Sequence, residues 1–387
     1  MLGSKQWGCM QVAQSVWTEP GGWSDNTGTN LPKSVHVVFV FGARRLLQRP
    51  DVMASVHARY PGAVLMGCST AGEIEGAHVR DDSVVCTAVA FEKTHLRQAS
   101  VQVDAAGSRA AGRALAEALT ADDLAHVFVL SDGLMVNGSE LVAGLLETLP
   151  PGVQVTGGLS ADGAAFKETG VLDEGRLKAG VVAGLGFYGR ALRVGYGSLG
   201  GWDPFGPDRI ITRSAGNVLY ELDGKSALGL YKKYLGDYAK DLPASGLLFP
   251  LLVHKSERDP GFVRTILSVD EQQQSLTFAG DVPQGSLARL MKANFDRLID
   301  GASGAARVTY EAMGRRPASL ALLISCVGRK LVLQQRTEEE VEAVREILGE
   351  HTTLAGFYSY GEISPLTPGA RCDLHNQTMT ITTFNEL

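Results

Sequence analysis

Cysteine is scarce: the 387-residue chain has five, Cys9, Cys68, Cys86, Cys326 and Cys372, odd in number and never in CxxC spacing. That pattern favours reduced thiols over a disulfide framework or zinc site, and a cytoplasmic location with them. The eight histidines form no HxxxH or HxH pair, which argues against a zinc chelate. Long apolar runs are missing as well. No window approaches the roughly 18 apolar residues of a membrane helix, and the N-terminal stretch lacks the apolar segment of a signal peptide. Positive charge is neither in excess nor clustered: with a net charge of −6 and no long basic run, the footprint of a nucleic-acid binder is absent. An anionic membrane surface is an equally poor partner. Proline is held to 15 residues while glycine reaches 46. That is about 12% against a background of roughly 7%, and without a Gly-X-Y period it implies tight turns and close backbone approaches.

What the chain does have is an internal repeat in three copies. In the first, His36 to Gly42 forms a buried strand, residues 50–60 a helix, and Ala63 to Met66 a second strand running into Gly67-Cys68-Ser69-Thr70-Ala71-Gly72-Glu73-Ile74. The second copy lies 90 residues on: strand His126 to Gly133, helix 138–149, strand Val153 to Thr156, then Gly157-Gly158-Leu159-Ser160-Ala161-Asp162-Gly163. The interval from His36 to Gly67 and from His126 to Gly157 is the same 31 residues. The third is looser, with strand Ser319 to Ser325, helix 338–349, and Thr353-Leu354-Ala355 leading into Gly356-Phe357-Tyr358-Ser359-Tyr360-Gly361-Glu362-Ile363. First and third copies share Gly-x4-Gly-Glu-Ile. Continuous apolar strands alternating with amphipathic helices are the pattern of β-α-β units, so the expected class is α/β, with repeated units forming mixed sheets covered by helices. Each glycine-rich segment is expected just beyond a strand's carboxyl end, where ligands usually bind in such sheets.

Between the second and third copies the pattern changes to short alternating strands at Gly180 to Phe187, Leu192 to Tyr196, Gly261 to Val269 and Ser275 to Ala279. These predict antiparallel pairing. The segment from Gly200 to Pro207 carries too much glycine and proline for regular structure and is expected as a constrained loop bearing Trp202 and Phe205. A helix is expected over 225–239, opening a second domain, so the chain divides into residues 1–220 and 221–387.

Several motifs invite chemistry. Gly184-Leu185-Gly186-Phe187-Tyr188-Gly189 satisfies GxGxxG, but Ala191 to Tyr196 continues as strand where a dinucleotide site needs a helix. Gly224-Lys225-Ser226 lacks the first glycine of a P-loop and is better explained as a helix start. Cys68-Ser69 sits in a Gly-bounded segment, yet Gly67 and Gly72 do not bracket Ser69 as a nucleophile elbow requires. An enzyme using Cys68, Ser69 or Cys326 is therefore the third reading, and the chain is taken as a non-enzyme. Arg329, at the end of the third unit's strand, is either a bidentate clamp for a carboxylate ligand or a salt-bridge partner of Glu362 or Asp373. His375-Asn376 precedes a final strand, where a neutral imidazole is either an interior metal or haem ligand or a satisfied hydrogen-bonding residue.

The segments Gly67 to Ile74, Val155 to Gly163 and Gly356 to Ile363, with His375-Asn376 downstream, resemble the signature segments of FIST sensory proteins. The resemblance runs from about Val35 to Phe384 and implies a FIST N-terminal domain followed by a FIST C-terminal domain. It also implies a bacterial signal-input module for small ligands. The stretch from Gly200-Gly201-Trp202-Asp203-Pro204-Phe205-Gly206-Pro207 through Asn217 to Gly224 looks most like the NosP branch. That likeness implies haem as cofactor, nitric oxide sensing, and regulation of a partner histidine kinase or cyclic-di-GMP enzyme, with effects on biofilm. Residues 20–33 carry no helical pattern where related proteins have a helix, and Phe41-Gly42-Ala43-Arg44 departs from the usual continuation. The alternative is an amino-acid or small-carboxylate sensor without haem. Candidate ligand-binding residues, each on or beside a strand-end turn, are Cys68, Ser69, Thr70, Glu73, Cys326, Arg329, Tyr358, Ser359, Glu362, His375 and Asn376. His375 doubles as the candidate axial ligand.

Overall fold

A computed structural model describes residues 10–25, 34–104, 107–256, 259 and 261–387. Cys9 and residues 26–33 of the segment expected to lack a helix lie outside the described residues. The fold is α/β with mixed sheets, as the apolar strand and amphipathic helix pattern requires.

The three repeats are three copies of one sheet plan. In each, an inner strand pairs in parallel with a second strand: Val37–Gly42 with Val64–Ser69, Leu124–Ser131 with Gln154–Leu159, and Leu320–Cys326 with Thr353–Ser359. A third strand lies antiparallel on the inner strand's other side: Ser83–Ala90, Val181–Tyr188 and Met379–Glu386. An outer strand follows it: Gln11–Thr18, His95–Gln102 and Leu192–Leu199. The crossover helices Pro50–Arg59, Gly138–Thr148 and Thr337–Leu348 cover the outer faces. Pro50 opens the first, its fixed φ suiting the first helical turn, and the Asn137 side chain caps the second by accepting from Ser139 N and Glu140 N.

The inner strands are buried on both faces, which is why they read as unbroken apolar runs. Phe39, Phe41, Phe128, Leu130, Ile324 and Phe357 point into a common core where the three sheets face one another. Phe41 and Phe357, from different units, approach to 4.7 Å between ring centroids, and Phe39 meets Phe128 edge-on at 5.5 Å.

Each unit also gives a hairpin away. The first unit's Glu73–Glu75 pairs with the third unit's Thr353–Ser359, the third unit's Gly361–Pro365 with the second unit's Gln154–Leu159, and the second unit's Val171–Asp173 with the first unit's Val64–Ser69. This cyclic exchange places residues from both sides of position 220 in shared sheets, and residue 220 itself lies within the strand Val218–Leu222.

Four expectations are corrected. The glycine-rich segments begin inside the second strands, not beyond them. A Cβ at Gly67, Gly157 or Gly356 would lie 2.1, 1.8 or 1.8 Å from the carbonyl oxygen of Val40, Val129 or Leu323 on the neighbouring parallel strand, so this shared position requires glycine. The segment from Gly200 to Pro207 is not a loop throughout: Trp202–Ala215 is one long strand paired with Leu287–Ala293, and a register shift between Phe205 and Arg209 absorbs Gly206-Pro207. The helix expected over 225–239 is Ala227–Leu235, started by Ser226, whose hydroxyl accepts from Gly229 N; it stops at Gly236, φ +57°, and gives way to a 3₁₀ turn. Together, residues 202–293 form an antiparallel sheet with its own core, inserted before the third unit's long helix Phe295–Ala312. The strand expected from Gly261 to Val269 is two, Phe262–Arg264 and Ile266–Asp270, on opposite edges of that sheet.

Candidate functional site

The three glycine-bearing segments meet in a closed ring of backbone hydrogen bonds. Ser69 O accepts from Ala161 N at 2.9 Å, Leu159 O from Tyr360 N at 3.3 Å, and Tyr358 O from Ala71 N at 2.9 Å. In every case the acceptor lies two residues, and the donor four, beyond the shared glycine. The glycine shared by all three copies, at Gly67, Gly157 and Gly356, thus marks a pseudo-threefold junction.

Beside this ring each unit buries a carboxylate. Glu73 accepts from the hydroxyls of Thr70 and Ser83, the latter at 2.6 Å. Glu362 accepts from Ser359 Oγ at 2.7 Å and from Thr378 Oγ1 at 2.9 Å. Val171 occupies the equivalent register position in the second unit, where Asp132 supplies the carboxylate and accepts from Leu134 N, Met135 N, Thr169 Oγ1 and Gly180 N. Burial raises the Glu73 carboxyl to about 7 and the Glu362 carboxyl to about 8, against the lowering effect of their hydroxyl donors.

A cavity of about 450 Å³ opens where the first and second units meet. Its wall combines the short helix Arg44–Leu47 that follows the first inner strand (Arg44, Arg45), the signature residues Thr70 and Glu73, the hairpin tail (Asp81, Asp82), and Asp162 and Lys167 of the second unit. Charges of both signs therefore line one space. Arg45 is 2.9 Å from Asp82, Arg44 pairs with Glu168, and Lys330 of the third unit pairs with Asp81 while donating to Ala71 O at 2.9 Å. The loop 162–169 forms one wall and is pinned by Asp162, which accepts from the backbone N–H groups of Phe166, Lys167 and Glu168 at 2.9 Å each and from the Tyr360 hydroxyl. Phe166 stacks on Tyr360 at 4.6 Å.

Of the candidates read from sequence, Thr70 and Glu73 line this cavity. Cys68 lies behind them in the central core, its thiol pushed up by burial, and Ser69 Oγ accepts from Gly170 N at 3.1 Å. Ser359, Glu362 and Asn376 lie in the third unit's counterpart of this region, with Asn376 Nδ2 donating to Tyr360 O at 3.1 Å. Arg329 and Tyr358 belong to a separate, wholly buried network. The Arg329 guanidinium binds Glu340 through Nε at 3.0 Å and Nη2 at 2.7 Å, and also donates to Gly200 O and Leu298 O. Glu340 takes the Tyr358 hydroxyl at 2.7 Å as well. The salt-bridge partner of Arg329 is thus Glu340, rather than Glu362 or Asp373. Cys326 caps the short helix beside this network, its thiol also raised by burial. His375 is buried, its Nε2 2.8 Å from Ser364 O, and burial lowers its pKa.

Sequence reasoning passed over Arg44, Arg45, Asp81, Asp82, Asp162 and Lys167. The available signal was position: Ala43-Arg44-Arg45 follows the first inner strand as Asp132 follows the second.

Two family descriptions match the chain, the FIST N domain over residues 36–225 and the FIST C domain over residues 227–365. An uncharacterized protein of Mycobacterium tuberculosis strain H37Rv is 26% identical over 357 residues, covering 87% of this chain and 88% of its own length. An uncharacterized protein of Methanocaldococcus jannaschii is 24% identical over 299 residues, 70% of this chain and 56% of its own. A solved cyanuric acid hydrolase structure covers 98% of this chain at 10% identity with a TM-score of 0.35.

Proposed function

Since the chain belongs to the FIST family, whose domains are small-ligand sensor modules in signalling, we propose that it senses a small zwitterion such as an amino acid in the cavity between its first and second units. The carrying observation is that one space of about 450 Å³ is lined by Arg44, Arg45 and Lys167 and also by Glu73, Asp81, Asp82 and Asp162. Cationic side chains bind the ligand's carboxylate and acidic ones its ammonium, and a volume in the range of about 300 to 1,000 Å³ suits a small molecule. The buried thiols of Cys68 and Cys326, both shifted upward, support a binding role over a nucleophilic one. The signal passes by contact to a separate effector, a histidine kinase or cyclic-di-GMP enzyme.

A thermal-shift screen of amino acids and small carboxylates tests this. A ligand at a hundred times its Kd stabilises the fold by about 2.7 kcal/mol. Stabilisation that disappears in Arg44→Ala/Arg45→Ala supports the site, and a screen in which no such compound stabilises the protein refutes it.

Haem and nitric oxide remain a reading carried by the NosP resemblance. Two histidines, His375 and His57, bear on an axial ligand. His375 commits Nε2 to Ser364 O and lines none of the described cavities. His57 does line a cavity of about 630 Å³ with Arg49 and Arg176. Its Nε2, however, packs onto Gly175, where an added Cβ would be 2.3 Å away. A Soret band on adding haem, shifted by nitric oxide, would displace the zwitterion reading.

A further inference from the structure

The pseudo-threefold junction makes a second site recognisable by position. One unit on from Arg44 and Arg45, the turn after the second inner strand spans residues 134–137. Beside it lies a cavity of about 440 Å³, walled by Leu134, Met135, Phe166 and Lys167 and closed by Leu267 and Ser268 of the inserted sheet. The two cavities are neighbours on either side of the loop 162–169, and Lys167 lines both. The third counterpart is filled: Gly328 and Arg329 occupy it, with Arg329 on Glu340 and the Gln377 amide so close that a Cβ on Gly328 would lie 2.4 Å from it.

The open pair differ in chemistry. Four carboxylates line the first cavity, whereas none lines the second. The equivalent carboxylate, Asp132, is buried and spends both oxygens on the turn's own backbone and on Thr169 and Gly180. What remains is an apolar wall, the hydroxyls of Ser108, Ser268 and Thr277, the Asn137 and Asn217 amides, and the Lys167 ammonium, the single charged side chain in the lining. Met135 is 63% exposed at the mouth, a large apolar side chain left uncovered on a turn that Asp132 holds in place.

We propose that this cavity is a second ligand site, selective for a small anionic amphiphile whose apolar body rests on Leu134, Met135, Phe166 and Leu267 and whose anion meets Lys167. It differs from the zwitterion site in lacking any acidic group to receive an ammonium.

The test titrates the full chain with 8-anilinonaphthalene-1-sulfonate, an anionic amphiphile, and uses decanoate as competitor. One saturable site with blue-shifted emission is expected, displaced by decanoate and weakened at least tenfold in both Met135→Glu and Lys167→Glu. Met135→Glu alters an exposed side chain, so its circular dichroism melt should match the parent. Amino-acid stabilisation at the first cavity should also persist in this variant, which separates failure of one site from failure of the other. The absence of saturable binding, binding that decanoate does not displace, or unchanged affinity in folded Met135→Glu would overturn the proposal.

Discussion

Replacing Glu73 by glutamine probes the buried carboxylates at the junction. The Glu73 carboxyl is 1% exposed and raised from an ordinary 4.5 to about 7, because burial outweighs the hydroxyls of Ser83 and Thr70 and the Lys330 ammonium. A carboxyl with a raised folded-state pKa favours folding while protonated. Its stabilising contribution is complete below about 4.5 and is lost as pH rises through about 7. At about 1.4 kcal/mol per pH unit of displacement, the loss between pH 5 and pH 8.5 is about 2.5 kcal/mol. A glutamine in its place keeps the shape and titrates nowhere, so subtracting the variant removes every other pH effect. Among those is the opposing one of His126 and His375, whose pKa values burial lowers and whose protonation in the unfolded chain costs stability below about 6.5. The assay is urea unfolding of both proteins at pH 5, 6, 7 and 8.5, compared through their midpoints. Relative to the parent, Glu73→Gln should gain about 2.5 kcal/mol from the lowest to the highest pH. A difference that is flat with pH, or that grows toward acid, would refute the assignment of a buried, reluctantly ionised carboxyl.

The shared glycine position gives a packing prediction. Gly157→Ala drives a Cβ to 1.8 Å from Val129 O and should cost about 3 kcal/mol or prevent folding, while Gly200→Ala, whose Cβ meets only Gln377 O at 3.6 Å, should stay within about 0.5 kcal/mol of the parent in urea unfolding. The Arg329 network gives an electrostatic one. Arg329→Met strands Glu340 without a counter-charge and should cost about 3 to 5 kcal/mol, whereas Arg329→Met/Glu340→Met should cost less than the single change; a double variant worse than either single one would show that the pair does not act as a unit.

The strand-helix-strand copies were legible because their inner strands are buried on both faces and their crossovers are amphipathic. Val37–Gly42, Pro50–Arg59 and Val64–Ser69 all lie where the apolar pattern puts them. The exchanged hairpins were not. Glu73–Glu75 and Val171–Asp173 are three residues each, too short to show a period, and their partners lie in another unit. Helix Phe295–Ala312 escaped notice because Gly301 and Gly304 interrupt its apolar stripe; a Cβ at Gly301 would lie 1.7 Å from Gly200 O, so packing against that backbone overrides helix propensity. At the candidate site the Gly-Glu-Ile motif pointed to Thr70 and Glu73, but Asp162 and Lys167 arrive from the next unit through a loop with no counterpart in the other copies.

The exchange of hairpins also bears on how a bound ligand is reported. Glu73 lines the first cavity, yet its strand is hydrogen-bonded to the third unit, with Glu73 opposite Phe357 and Ile74 opposite Gly356. Lys330, on the third unit's helix Val327–Leu333, reaches back to Ala71 O and Asp81 on the same hairpin. A ligand that draws Glu73 or Asp81 toward an ammonium therefore pulls on a strand of another sheet and on a helix next to the buried Arg329–Glu340 pair. The inserted sheet is tied into the same region, since Thr265 N donates to Asn376 Oδ1 and Asn376 in turn holds Tyr360 O. Binding energy becomes a signal only to the extent that the ligand prefers one arrangement of these elements. A ligand that binds both arrangements equally well shifts neither, however tightly it is held.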